Sequence, residues 1–414
     1  MALVRPFKAI RPASTLARMV AALPYDVMTS DEARKTIEGN PYSFLHVDKA
    51  EIDLPEDIDP YAPEVYQKAR DNFMSMRQEG VFIQDASPCL YIYRLTMGKR
   101  SQTGLVACTS IDEYESGLIK KHELTRADKE QDRIRHVEAL GAHTGPIFLA
   151  YRNRPEIEDI IFRWSGEKSP VYDFISKDGI GHSVWIINDD AVIARLKDLF
   201  LEIPNLYIAD GHHRNASAVK VGLDYRKKNP DYDPEGEFNF YLSVLFPDSQ
   251  LKIMDYNRLI KDLNGLKPSE LLEALEEKFV LEEAKEPKPR EPHQFGLYME
   301  AKWFRLQLKP QYVRHDDPVG ALDVSLLQEH LLGPVLGISD PRTDKRIDFV
   351  GGIRGYNELE KRVDSGEMAL AITLYPVSME ELMAIADAGA IMPPKSTWFE
   401  PKLRSGLFVH DLEI

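Results

Sequence analysis

The sequence predicts an α+β fold with mixed sheets, in which hairpins and packed helices are interspersed. Two β-rich runs, residues 89–97 and 103–111, are separated by a short polar loop that contains Gly98, which is typical of a hairpin. Residues 61–80 have the apolar spacing of a helix and end at a glycine that can close it. Because strand follows strand here, the regular strand–helix alternation that builds a parallel sheet is not indicated.

The middle of the chain predicts further helices and strands. Residues 117–141 are highly charged and rich in helix formers, and residues 189–200 have the pattern of a second charged helix. Residues 206–225 are typical of a strand that enters a helix through a tight turn. Residues 238–256 contain two apolar runs around Pro247, so we expect another hairpin there.

The composition changes at residues 285–292, where three prolines among charged residues predict an exposed loop or linker. Beyond it, the pattern predicts a hairpin at 295–309, a helix at 325–337, a strand that turns through glycines at 347–355, and a helix capped by Ser378 and Glu381. We therefore expect three regions, at 1–115, 116–284 and 293–414.

Composition and charge argue against several classes of protein. The 414 residues include 52 lysines and arginines against 67 aspartates and glutamates, a net charge of −15, which argues against a protein that coats nucleic acid. Two cysteines exclude a disulfide scaffold and favour a reducing compartment. With no signal peptide and no apolar run of membrane-spanning length, we predict a cytoplasmic protein without membrane or nucleic-acid partners.

The most informative segment is Asp210-Gly211-His212-His213-Arg214, between an apolar strand and a run of helix formers. A strand that turns through glycine into a helix presents unpaired backbone N–H groups and the positive end of the helix dipole, which suit a phosphate. Gly211 permits close backbone approach, and Arg214 can grip phosphate oxygens. Both histidines can donate to the same oxygens or move a proton, and Asp210 can hold a water, a cation or a histidine tautomer.

Two other interpretations of this turn stay open. In one, Asp210 caps the helix and the histidines are surface groups. In the other, Asp210, His212 and His213 bind a metal ion, although neighbouring histidines rarely face one cation together and the chain has no HExxH motif. The combination of histidines, an aspartate and an arginine on one short turn favours the phosphate site.

A second candidate anion site lies at residues 120–136, which contain six lysines and arginines and four acidic residues. Glu123, surrounded by cations, is a candidate general base toward a hydroxyl group, with His122 beside it. Lys121 and Arg133 are candidate phosphate ligands.

The alternative for this segment is a solvated helix laced with ion pairs four residues apart. We adopt that interpretation for the outer charges, Lys129 and Arg135.

Other signals are weaker. Lys395, Ser396 and Thr397 lie in a proline-rich segment near the C-terminus and are candidate substrate ligands, with a rigid tail packed on the core as the alternative. Thr144, in a Thr-Gly-Pro turn, is another candidate substrate ligand, for which a structural turn is the alternative. The chain has neither a GxGxxG nor a GxxxxGK[ST] motif, so a Rossmann dinucleotide site and a P-loop are unsupported.

On the segments PYDV, KKHE, DGHHR and MPPKST, the whole chain resembles a widespread prokaryotic family of proteins with a domain of unknown function. The DGHHR segment is also similar to the phosphate-binding turn of the ParB/sulfiredoxin superfamily, which implies a nucleotide-binding core of that type. Asn215 stands where an aromatic residue is expected in many relatives.

That superfamily includes free serine kinases, which transfer a phosphoryl group from ATP or ADP to the hydroxyl of L-serine. The resemblance implies that residues 210–214 bind the nucleotide phosphates and Mg²⁺, with Asp210 as the metal ligand, and that Glu123 is the base. We therefore expect a kinase acting on serine or a similar hydroxyl compound. Whether it forms a homodimer stays open.

A rival of another class is a nucleotide-sensing protein that uses the same turn as a switch, without turnover. A phosphodiester nuclease or a sulfiredoxin-like reductase is more distant, and the reductase requires a cysteine that residues 210–214 lack. A DNA-binding role of the ParB type lacks a helix-turn-helix with a basic face.

Overall fold

The computed structural model describes residues 1–314 and 316–413 and confirms the mixed α+β class. The chain forms two compact units. The first contains Met1–Leu251 together with Pro401–Ile414, and the second contains Lys252–Glu400.

The first unit contains nine of the α-helices in the described part of the chain. These are α1 (Ala17–Val20), α2 (Ser30–Thr36), α3 (Leu45–Asp48), α4 (Pro63–Gln78), α5 (Ile111–Glu115), α6 (Ala127–Leu140), α7 (Pro155–Glu167), α8 (Asp190–Leu201) and α9 (His212–Lys228). Helix α4 confirms the prediction for residues 61–80, and proline occupies its first turn, where a missing N–H costs nothing. Helix α8 begins after Asp189, whose side chain accepts hydrogen bonds from two backbone N–H groups.

The strands of the first unit before residue 251 are β1 (Ile10–Pro12), β2 (Phe82–Gln84), β3 (Leu90–Met97), β4 (Arg100–Ser110), β5 (Ile119–Lys120), β6 (Ala142–His143), β7 (Ile147–Tyr151), β8 (Tyr172–Ile175), β9 (Gly181–Ile187), β10 (Leu206–Asp210) and β11 (Phe240–Pro247). Eight of them form one sheet in the order β5-β10-β7-β11-β4-β3-β9-β8. The pairs β5/β10 and β7/β11 are parallel and the other pairs are antiparallel, so the sheet is mixed. The predicted hairpin is the pair β3/β4.

The second unit is built on a six-stranded antiparallel sheet in the order β14-β16-β15-β18-β13-β17. The strands of the second unit are β12 (Ile253–Met254), β13 (Tyr256–Ile260), β14 (Phe279–Ala284), β15 (Gln294–Met299), β16 (Lys302–Leu308), β17 (Ile347–Gly351), β18 (Leu370–Leu374) and β19 (Trp398–Phe399). Of these, β12 and β19 form a separate antiparallel pair. The helices of the second unit are α10 (Pro268–Leu275), α11 (Asp323–Leu327), α12 (Tyr356–Asp364) and α13 (Met379–Asp387). The last strand, β20 (His410–Asp411), belongs to the first unit and pairs with β6.

The C-terminal predictions are largely confirmed. Residues 285–292 form the loop between β14 and β15, and β15 and β16 form the expected hairpin. The Ser378 side chain caps α13 and exchanges hydrogen bonds with Glu381 as a capping box. In the described part of the chain, no helix is both long and apolar enough to cross a membrane.

The hairpin predicted at residues 238–256 is wrong. Strand β11 is buried along its whole length and pairs with β4 on one side and β7 on the other. Because both of its edges are paired, the strand that follows cannot join it. That strand, β12, pairs instead with β19 in the second unit.

The division into units also differs from the three predicted regions. Strands β3 and β4 come from the predicted region 1–115, whereas β7, β10 and β11 come from 116–284, yet all belong to one sheet. The predicted boundary at residue 115 therefore falls inside a unit. The change of composition at 285–292 marks a loop within the second sheet, not a boundary between units.

We predict that replacement by alanine has opposite effects on stability at two helical glycines of the first unit. In α9, a Cβ added at Gly222 would stand 2.5 Å from the backbone oxygen of Phe238 and 2.9 Å from a methyl carbon of Ile111. Gly222→Ala should lower the free energy of unfolding by about 1–3 kcal/mol, because this site is already filled. In α7, a Cβ added at Gly166 would meet nothing within 4 Å in the described structure. Gly166→Ala should raise that free energy by roughly 0.5–1 kcal/mol.

Urea unfolding followed by circular dichroism measures both effects. A Gly222→Ala chain that is as stable as Gly166→Ala would contradict the close packing of α9 against Phe238 and Ile111.

Candidate functional site

The centre of the candidate site is the turn between β10 and α9. Strand β10 ends at Asp210, Gly211 adopts φ 91° and ψ 32°, and α9 begins at His212. This confirms the predicted order of strand, tight turn and helix. A positive φ of this kind is accessible to glycine without strain, whereas a side chain would be disfavoured. A Cβ at Gly211 would also stand 3.1 Å from an Arg214 guanidinium nitrogen, so the arginine lies directly against the turn.

Arg214 is the best-anchored cation of the turn. Its Nη1 donates to the backbone oxygen of Pro146 at 2.8 Å, and its Nη2 lies 3.7 Å from Asp210 Oδ2. Its Nε is buried and has no hydrogen-bond partner among the described residues. A buried donor without a partner is costly, so Nε is a position where a bound anion would find an unused hydrogen bond.

Asp210 is held between two cations. Its Oδ2 lies 3.6 Å from Lys402 Nζ and 3.7 Å from Arg214 Nη2. Burial raises the pKa of the Asp210 carboxyl, but the positive charges of Lys402 and Arg214 outweigh this effect and hold the pKa below its ordinary value. Asp210 is therefore ionised at neutral pH and offers negative charge at the end of the strand.

The structure brings His122, Glu123 and His212 together. The rings of His122 and His212 meet edge to face with their centroids 4.5 Å apart, and Glu123 Oε2 lies 3.6 Å from His212 Nδ1. Burial, followed by the charge of His212, lowers the pKa of His122 to about 3. Burial also lowers the pKa of His212 to about 4. Both rings are therefore neutral at pH 7, and His122 is fully shielded from solvent.

His213 faces the loop that precedes α6. Its Nε2 accepts a hydrogen bond from the backbone N–H of Arg126 at 3.1 Å, so the ring proton of the neutral form lies on Nδ1. Burial lowers the pKa of His213 below its ordinary value. This contact joins the candidate anion segment at residues 120–136 to the DGHHR turn, which are two separate signals in the sequence.

Arg133 on α6 is buried and stacked. Its guanidinium carbon lies 3.9 Å from the centre of the Tyr25 ring, and its Nε donates to Asp132 at 2.9 Å. An arginine stacked on an aromatic face gains cation–π energy while its remaining donors stay available. Tyr25 thus enters the site from PYDV, a segment that carries part of the family resemblance but supplies none of the predicted site residues.

Arg133 and Arg214 both line a small cavity of about 30 Å³. One water needs at least about 10–15 Å³ of such space, so the cavity has room for a group of only a few heavy atoms. The other polar side chains in its wall belong to Tyr25, Asp48, His136, His143 and Thr144. The candidate substrate ligand Thr144 therefore lies at the site, where its hydroxyl donates to Asp48 at 2.9 Å.

Lys121, Lys395 and Ser396, which are also predicted ligands, each have a partner of their own. Lys121 directs its ammonium group over the ring of Tyr114 at 5.6 Å. The three residues of the proline-rich segment belong to the second unit, whereas every other residue described above belongs to the first. There, the Lys395 carbonyl accepts from Arg258 at 3.0 Å, and Ser396 donates to the Pro393 carbonyl at 2.5 Å. Thr397, beside them, is partly buried in the same unit.

Several site residues were not among those predicted. Their side chains reach the turn or the cavity from distant parts of the chain, and they are Tyr25, Asp48, His136, His143 and Lys402. Tyr25, His143 and Lys402 lie inside segments that stand out as short motifs, and a search for cations and aromatics near such motifs would have found them. Asp48 lies in a run that resembles an ordinary short helix, so the sequence offers no signal for it.

No resident metal site is present in the part of the chain that the structure describes, since no group of three or more His, Cys, Asp or Glu side chains can enclose a metal ion. Asp210 is a single carboxylate with two cations beside it. Mg²⁺ in nucleotide sites is commonly bound by one or two carboxylates plus phosphate oxygens. Asp210 can therefore supply one carboxylate to a magnesium ion whose other ligands come from a bound molecule.

Comparison with protein families decides what kind of chain this is. The profile of DUF1015, described as a protein of unknown function, matches residues 4–325. The chain belongs to the DUF1015 family. No curated protein matches it.

Solved structures similar to this DUF1015 chain share little sequence with it. A free serine kinase in complex with AMP is 17% identical, with 75% of this chain and 91% of that chain covered and a TM-score of 0.37. A conserved hypothetical protein from Pyrococcus furiosus is 16% identical, with 75% and 97% covered and a TM-score of 0.34. SbnI with a C-terminal truncation from Staphylococcus aureus is 12% identical, with 74% and 87% covered and a TM-score of 0.38.

We predict that His122→Phe makes the stability of the protein less sensitive to acid. Because the pKa of His122 is about 3 in the folded chain and near 6.5 when unfolded, the unfolded state binds the proton first as pH falls below 6.5. This histidine therefore costs stability on the order of 2 kcal/mol between pH 7 and pH 4.5. Urea unfolding at both pH values should show a smaller loss in the variant.

His46→Gln is the matched control with the opposite sign. Its hydrogen bond to Asp53 raises the pKa of His46, so this histidine stabilises the fold below its unfolded pKa, and that contribution disappears as pH rises through the folded pKa. The control should therefore lose more stability in acid. Equal acid sensitivity in the natural chain and His122→Phe would show that His122 is not a buried neutral histidine.

Proposed function

We propose that the first unit binds a nucleotide by its phosphates at the Gly211 turn and transfers a phosphoryl group to the hydroxyl of a small metabolite, with free L-serine as the preferred acceptor. The observation that carries this proposal is the arrangement of Arg214. It is a partly buried arginine in the first turn of a long helix, and its buried Nε donor has no hydrogen-bond partner among the described residues.

The start of α9 supplies the other phosphate donors. The first i to i−4 hydrogen bond of the helix runs from Asn215 N to Gly211 O at 2.9 Å, so the N–H groups of residues 212–214 lack helical partners. They point out of the N-terminus together with the positive end of the helix dipole. A 17-residue helix with glycine at its entry thus offers backbone donors to an anion in addition to Arg214.

The charges around the turn suit a nucleotide. Lys402 and Arg133 add positive charge beside Arg214, whereas the neutral rings of His212 and His213 can donate or accept without adding more. Phosphoryl transfer requires positioning and electrostatic stabilisation of phosphate oxygens more than covalent help from the protein. This set of groups matches that requirement.

Glu123 is the proposed base. Its carboxylate is about one-third exposed, and its Oε2 lies 3.6 Å from His212 Nδ1, so it stands beside the phosphate turn but remains open to a substrate. In the proposed step, Glu123 accepts the proton of the acceptor hydroxyl, whose oxygen bonds to the terminal phosphorus. The bond from phosphorus to the bridging oxygen breaks, and the shortened nucleotide leaves with that oxygen.

Asp210 is the proposed ligand for the magnesium ion of the nucleotide, since it is the carboxylate at the turn that stays ionised. Such an ion neutralises charge on the phosphates when bound. Thr144 is retained as a proposed substrate ligand at the cavity. The assignments of Lys395, Ser396 and Thr397 as substrate ligands stay predictions.

The test is product formation with Mg-ATP or Mg-ADP and L-serine, followed by mass spectrometry of O-phosphoserine. Arg214→Met should reduce kcat/KM by about 100-fold or more, because a preorganised donor to the transferred group is lost. Arg135→Met is the control, since this arginine is exposed on α6. Its kcat/KM should stay within about twofold of the natural chain, as expected for a surface group.

The role of Glu123 has its own measurement. Glu123→Gln keeps the size of the side chain and should leave nucleotide affinity nearly unchanged while kcat falls by about 100-fold or more. Nucleotide binding without product, across a panel of hydroxylated metabolites, would contradict the kinase proposal and favour the nucleotide sensor. An unchanged kcat in Glu123→Gln would remove that residue alone from the base role.

A further inference from the structure

Behind the cavity lies a row of three titratable groups that the proposed transfer does not use. His143 on β6 and His410 on β20 are direct partners in the β6/β20 ladder, and their Nδ1 atoms are 3.4 Å apart. On its other side, His410 Nε2 lies 2.7 Å from Glu237 Oε2. The remaining oxygen of Glu237 lies 3.3 Å from an Arg5 guanidinium nitrogen. Both histidines are buried, at 6% and 2% exposure.

The direction of the protons in this row follows from the carboxylate. The ionised Glu237 can only accept, so the proton between it and His410 lies on His410 Nε2. When His410 carries only that proton, its Nδ1 is bare and accepts the Nδ1–H of His143. The row then leaves His143 with a bare Nε2.

His143 lines the cavity, and its Nε2 is buried without a hydrogen-bond partner among the described residues. Burial lowers the pKa of His143 well below its ordinary value, which keeps the ring neutral. A buried acceptor without a partner has a cost similar to that of a buried donor. A ligand in the cavity that carries a proton would remove this cost.

Two further groups in the wall also offer lone pairs. The Thr144 hydroxyl spends its one proton on Asp48 Oδ1, so it can only accept from a ligand. Asp48 is a carboxylate and likewise only accepts. Opposite these acceptors stand the guanidinium groups of Arg133 and Arg214, which only donate. The wall therefore combines positive charge with hydrogen-bond acceptors. An anion that also has an O–H group would pair with both.

We infer that this cavity is a binding site for inorganic hydrogenphosphate, and that it selects hydrogenphosphate over oxyanions without a proton through His143, Thr144 and Asp48. The inference rests on the proposed function in one respect, since Arg214 is shared with the phosphate turn. At neutral pH sulfate has no proton, so the lone pairs of its oxygens would face the lone pairs of the acceptor atoms in the wall. A phosphomonoester dianion lacks the proton too, and the small volume leaves no room for its ester group.

Isothermal titration calorimetry of the full chain at pH 7.5 and constant ionic strength tests this selectivity with sodium phosphate and sodium sulfate as probes. Phosphate should bind at least about tenfold more tightly than sulfate, the effect of one lost hydrogen bond to a buried group. Equal affinities for phosphate and sulfate would overturn the inference.

Three variants separate selectivity from folding. His143→Asn keeps an N–H that can donate to His410 but no longer reaches the ligand, so the preference for phosphate should fall to about the level of sulfate. Asp48→Asn replaces an acceptor by an amide that can also donate, and it should strengthen sulfate binding, which mere damage to the fold would not do. His182→Asn, at a buried histidine that bonds to Tyr93, is the control and should leave the preference unchanged.

The ring protons give a readout that needs no ligand. With ¹⁵N-labelled histidine, NMR at pH 7.5 should show Nε2 of His143 unprotonated, assigned by loss of its signals in His143→Asn. A proton on Nε2 of His143 would overturn the inference whatever affinities are measured for the anions. Nucleotide binding without any preference for phosphate would contradict this inference alone, whereas selective phosphate binding without phosphoryl transfer would contradict the proposed function alone.

Discussion

The left-handed turn at Gly211 is the constraint on which the candidate site depends. Strand β10 pairs with β5 at Leu206 and Tyr207 and with β7 as far as Asp210, so its last residue lies opposite Phe148. The chain must then change direction within one residue to start α9, and the backbone angles of Gly211 accomplish this. Arg214 folds back over the same residue and bonds to Pro146 beside β7. One glycine thus fixes the strand end, the helix start and the main cation relative to one another.

Charge compensation explains why so many ionisable groups can share one small region. The three cations Arg133, Arg214 and Lys402 are partly balanced by the two carboxylates of Asp132 and Asp210, which lie within ion-pair distance of them. The histidines around them are held neutral by burial, so they add polar groups without adding charge. An anion can therefore bind here without breaking all of these ion pairs.

Local signals in the sequence predict local structure well. The strand, glycine and helix around Asp210 lie within a few residues of each other, as do the β3/β4 hairpin and the Ser378 cap, and all three are confirmed. The failures involve pairing at long range. Nothing in residues 238–256 reveals that β4 and β7 already occupy both edges of β11. The same reason hides Asp48 and Lys402, which become site residues through contacts with distant parts of the chain.

The first unit is discontinuous, since its last residues follow the whole of the second unit. Lys402, which pairs with Asp210, and His410, which pairs with His143, both belong to that final segment. During synthesis on a ribosome, the chain must therefore pass residue 410 before the site can close, although the DGHHR turn has emerged some two hundred residues earlier. Until then the partners Asp210 and His143 lack their closing contacts, and the site assembles as a late, non-local event in folding.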